Sequence, residues 1–99
     1  MPPMPRELAP PPIAVAQPRS VEILRVWAVP DGPQQLTLKP QWDDPGAWGL
    51  LLVDIARHAA QAYERGGADR ARALARIKVL FDAEWSRPTT ETKDLTDGG

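Results

Sequence analysis

The stretch from Asp44 to Gly67, DPGAWGLLLVDIARHAAQAYERGG, constrains the fold most, because it carries both a start and a stop for one long amphipathic helix. Asp44 has the side chain of an N-cap, Pro45 suits the first helical position, and a carboxylate there complements the positive end of the helix dipole. At the far end Arg65 complements the negative end, and Gly66-Gly67 can take the left-handed cap without steric cost. At 100° per residue, Trp48, Leu51, Leu52, Ile55, Ala56, Ala59, Ala62 and Tyr63 share one stripe. Leu50 and Val53 project toward the polar side. The helix therefore offers more apolar surface than one packing partner covers. Asp54, Arg57 and His58 interrupt the run well before the roughly 20 apolar residues that a membrane span requires.

Before this helix come two strand signals. Ser20 to Val29 (SVEILRVWAV) is rich in β-branched and aromatic residues, and Pro30-Asp31-Gly32-Pro33 ends it with a cluster of turn formers. Gln34 to Lys39 (QQLTLK) alternates with period two. Pairing Ala28 with Gln34, Val26 with Leu36 and Leu24 with Leu38 brings the apolar positions together, and a slip of one residue would reverse a face. The opposite face carries Val21, Ile23, Arg25, Trp27 and Val29, which is too apolar to be left wet. Trp42 lies just outside the first helix, where a hydrophobic staple packs.

After Gly66-Gly67, Asp69 caps a second helix reaching about Ser86, with Leu74, Ile77, Leu80, Phe81 and Trp85 as its stripe. The short connection makes the two helices antiparallel. The expected fold is α+β: a β-hairpin followed by two antiparallel α-helices packed on the hairpin face of Leu24, Val26, Leu36 and Leu38 (ββαα). Residues 20–88 form the single domain. Residues 1–19 are a Pro-rich flexible arm whose apolar island, Ile13 to Ala16, lies as an added strand or stays loose. Residues 89–99 form a polar tail expected to be disordered.

Several chemistries find little support. The chain has no cysteine, so it offers no disulfide framework, thiol nucleophile or cysteine-based zinc site. No glycine-rich phosphate loop is present. The net charge of -1 supplies no global attraction to nucleic acid or anionic lipid. MPPMPREL lacks the pattern of a signal peptide, which points to a cytoplasmic protein.

Three constellations remain. Asp54, Arg57 and His58 lie within little more than a turn and could serve a small enzyme or ligand-binding protein, yet the chain has only one histidine and a metal site needs three or four ligands. Arg65, Arg70, Arg72, Arg76 and Lys78 could grip phosphates, but they spread around the helix without interleaved aromatics. Four tryptophans suit core filling and interface anchoring better than a ligand cage. No catalytic, cofactor or metal residues are assigned. The reading favoured is a non-enzymatic interaction module, homodimeric through Ile23, Arg25 and Trp27 or a hairpin edge, with Leu50 and Val53 contributing.

The strings WDDPGAWGLLLVDIARHAAQAY and ALARIKVLFDAEWSRPT resemble a small family of short, mostly alphaproteobacterial proteins of unknown function. The resemblance runs from Val21 to Thr89 and implies no activity or site residues.

Overall fold

The hairpin forms in the register that the alternation dictates. In the computed structural model, which describes residues 6–88 and the backbone of residues 92–94, β1 (Leu24–Ala28) pairs antiparallel with β2 (Gln34–Leu38). Leu24 faces Leu38, Val26 faces Leu36 and Ala28 faces Gln34. Bonds from Lys39 N-H to the Ile23 carbonyl (2.8 Å) and from Val29 N-H to the Pro33 carbonyl (3.3 Å) close the two ends. In the turn, Asp31 takes a φ of 64°, which Asp tolerates better than most residues. Gly32 N-H donates to the Val29 carbonyl at 2.8 Å. A Cβ on Gly32 would lie 2.9 Å from that of Val29, so the turn requires glycine there.

The helices begin and end where their caps allow. For α2 (Gly46–Arg65), the Asp44 carboxylate accepts from Gly46 N-H at 2.8 Å. Trp42 packs edge-on against Trp48, ring centroids 5.6 Å apart, as the staple required. At the other end Gly67 has a φ of +104°. Ala68 N-H donates to the Tyr63 carbonyl and Gly67 N-H to that of Glu64, the double bond pattern of a Schellman cap. In α3 (Arg70–Ser86), the Asp69 carboxylate caps by accepting from Arg72 N-H at 3.0 Å.

Three features depart from the sequence reading. Ile13–Ala16, expected as a strand or loose chain, forms one helical turn, α1, tied down by Ser20 Oγ donating to the Ile13 carbonyl at 3.1 Å. Local proline geometry and the Ser20 bond favour the turn over a strand. Thr92–Asp94, within the tail expected to be unstructured, forms β3, which pairs parallel to β2 through Gln34 and Leu36 and gives the sheet order β1-β2-β3. A hairpin alone would leave the outer edge of β2 open, and β3 covers it through backbone groups that accept any extended partner. The third departure concerns packing.

Backbone proximity exists within the sheet and between α2 and α3, but no hairpin residue comes within 8 Å, Cα to Cα, of a helix. The two helices do not lie closely on the hairpin. Among the described residues Ala60 alone is fully buried. Leu24, Leu36 and Leu38 are half-buried and Val26 is exposed. The order of elements is the expected one; the expected shared core is missing.

Candidate interaction surface

Toward the Gly66-Gly67 turn the covered positions of α2 and α3 include small side chains: Ala60 is buried, and Ala59 and Ala73 are half-buried. Farther from the turn the facing positions become bulky. Trp48 and Leu52 on α2 stand opposite Ile77, Phe81 and Trp85 on α3, and an apolar groove of about 1010 Å3 lies between them. Phe81 and Trp85 are one turn apart and stack at 5.7 Å, interplanar angle 19°. They line the groove without closing it: Trp85 remains 76% exposed. Arg57 and the Lys78-Asp82 pair (2.7 Å) sit at its lips, so the rim carries both signs of charge.

The glycines of this region differ. Gly46 is accounted for by the cap, since a Cβ there would lie 3.1 Å from the Asp44 carboxylate. Gly49 lines the groove, and a Cβ on it would meet nothing within 4 Å. Crowding beneath Trp42 therefore does not explain it. A helical glycine costs about 0.5–1 kcal/mol relative to alanine, and the chain's own contacts offset none of that.

The five residues singled out for an interface fall into two places. Ile23, the residue before β1, is half-buried, and Trp27 is 37% exposed on the face its alternation shares. Between them the Arg25 guanidinium is already engaged, donating to Glu22 (3.1 Å) and to Glu7 of the arm (2.8 Å). Hydrogen bonding and charge attraction from Glu22, then the weaker pull of Glu7, raise the Arg25 pKa above the ordinary arginine value. On α2, Leu50 is 73% exposed and Val53 lines the groove. The arm does not cover Trp27 with its island, since Val15 is 87% exposed. The groove itself was not singled out in the sequence, although the α3 stripe contains its far wall.

The polar constellations are less assembled. Asp54, Arg57 and His58 are all exposed and make no hydrogen bond or ion pair with described residues. Arg57 and His58 border a cavity of about 360 Å3 beside Ala60 with Arg70, and Asp54 is not among its walls. Of the basic cluster, Arg70 pairs with Glu64 at 3.8 Å and Lys78 with Asp82, which offsets two of its five charges. Among the described residues no group of three or more His, Asp or Glu is placed to hold a metal ion, and no helix is long and apolar enough to cross a membrane.

Fold and surface together define an α+β chain whose distinguishing feature is an apolar helical groove and not an assembled catalytic group. By sequence the chain belongs to a family described as a domain of unknown function (DUF5076), whose model matches residues 7–89. It is also similar to a solved structure from Rhodopseudomonas palustrus CGA009, described as that of a "putative pyruvate dehydrogenase". The identity is 39%, covering 89% of this chain and 91% of that one, with a TM-score of 0.72. No curated protein matches.

Proposed function

We propose that this chain is a non-enzymatic, cytoplasmic protein-interaction module that works as a homodimer. The observation carrying the reading is the missing core: one alanine is buried among the described residues while Trp85, Phe81, Leu80, Leu50, Val53 and Ile55 all face solvent. Large apolar patches of this kind on a soluble chain mark association surfaces. A net charge of -1 opposes self-association only weakly. Two surfaces are available to it: the hairpin face of Ile23, Arg25 and Trp27 with the free edge of β1, and the helical surface that includes Leu50 and Val53.

The name of the similar structure supplies no residue roles, and no activity is transferred from it. Sedimentation equilibrium of the full chain tests the reading. The expected result is a species of twice 10.9 kDa at micromolar concentration; a monomer persisting at high micromolar concentration overturns it.

A further inference from the structure

We infer that the groove between α2 and α3 is where the second copy sits, two helical hairpins closing around a two-fold axis into a four-helix bundle. The inference rests on the homodimer reading and locates its interface. Four observations lead to it.

The first is the nature of the deficit. A chain that buries one alanine among its described residues lacks a core of its own, so its occupant must be present whenever the chain folds and in equal amount. A second copy meets both conditions by necessity. The groove, at about 1010 Å3, lies at the upper limit of small-ligand pockets, and its walls continue onto exposed apolar residues outside it.

The second is that groove and filler occur on the same chain. Trp85 stands at one lip, 76% exposed and stacked on Phe81, while Gly49 on the opposite wall leaves open space above its backbone. Under a two-fold axis each chain lends Trp85 to the other's groove and receives one in return, the self-complementarity that an isologous contact needs. Open space over Gly49 lets a ring or a helix approach closely, which gives the helical glycine the purpose it lacks within the monomer.

The third is the geometry of the pair. Antiparallel helices with a buried alanine toward one end, and a groove lined by Trp48, Phe81 and Trp85 toward the other, present a half-open bundle. A second such pair completes four helices packed as in ordinary up-down bundles.

The fourth is charge. Arg57, Lys78 and Asp82 at the lips give no single-signed rim, so the groove selects neither an acidic nor a basic macromolecule. A copy of itself brings both signs.

The test compares the dissociation constants of wild type, Gly49→Leu, Trp85→Ala and Trp27→Glu by sedimentation, with circular dichroism recorded over the same concentrations. Leucine is a far better helix former than glycine, so a merely structural role for Gly49 predicts an unchanged or tighter assembly and a higher melting temperature. Occupation by a second copy predicts that Gly49→Leu and Trp85→Ala each weaken the dimer at least tenfold, and that raising the protein concentration restores it. That recovery separates dissociation from misfolding, which does not reverse with concentration. If Gly49→Leu fails to fold at any concentration, Trp85→Ala, a change at an exposed position, decides alone. A wild-type dimer untouched by the groove variants but separated by Trp27→Glu overturns the groove and leaves the homodimer standing. A wild-type monomer overturns both.

Discussion

The two ends of the α2–α3 pair solve the same problem in opposite ways. Toward Gly66-Gly67 the covered positions include Ala59, Ala60 and Ala73, and the Ala60 side chain disappears from solvent. At the other end Trp48, Leu52, Phe81 and Trp85 hold the helices apart and leave a groove. Small side chains let two helices satisfy each other, whereas large ones demand more neighbours than one helix provides. The open end is therefore the part of the chain that requires something from outside.

The strongest way to break that contrast is to place a charge in the open end. Phe81→Asp puts a carboxylate among Leu52, Ile77 and Trp85, where pairing with a second copy would strip its water. Association should weaken at least ~100-fold, about 3 kcal/mol, measured by sedimentation. If self-association is unchanged, the open end is not the contact.

Next in size is the closed end. Ala60→Leu forces a larger group into the one position that is fully buried among the described residues and should cost about 1–3 kcal/mol, read from urea unfolding. An unaltered midpoint would mean that the helices yield there, and that the two ends differ less than their side chains imply.

The turn that fixes the closed end comes third. Gly67 holds a φ of +104° with open space around it, so Gly67→Ala should lower stability by about 1 kcal/mol through backbone strain alone. The thermal midpoint checks this, and a rise would show that the cap relaxes.

Much of this arrangement was readable in the sequence, and the reasons are local. The hairpin register follows from period-two alternation on both sides of Pro30-Asp31-Gly32-Pro33, and it forms as expected. The helix ends follow from Asp44, Gly66-Gly67 and Asp69, whose side chains or backbones satisfy groups that any helix leaves free. What escaped reading is what no local rule encodes. An apolar stripe says that Leu52 and Phe81 want burial but not what buries them, so covering the hairpin with the helices was the economical assumption. Thr92–Asp94 is polar and three residues long, too short for any periodicity to announce its pairing with β2. Ile13–Ala16 reads as an added strand or loose chain, and the Ser20 bond that secures its helical turn has no signal in the apolar pattern.

The smallest effect belongs to the hairpin side. Arg25→Gln removes ion pairs to Glu22 and Glu7 that are open to solvent, and exposed pairs of this kind contribute little. The sign of the pH dependence follows from the raised pKa. Its stabilisation is complete below the unfolded arginine value and is lost only as pH rises through the higher folded value. Thermal midpoints of wild type and Arg25→Gln should therefore differ by a constant small amount across the neutral range. A difference that changes sign there would mean that Arg25 serves the interface directly.

The central claim, that the apolar core is completed between two chains, is tested most directly by the concentration dependence of urea unfolding. Folding linked to dimer formation gains about 1.4 kcal/mol for each tenfold rise in protein concentration. With a slope of about 1–3 kcal/mol per molar urea, the midpoint should then climb by roughly 0.5–1.4 M per decade. A midpoint that stays fixed from low to high micromolar protein would contradict the account, because it would show that a single chain holds its fold with the groove open.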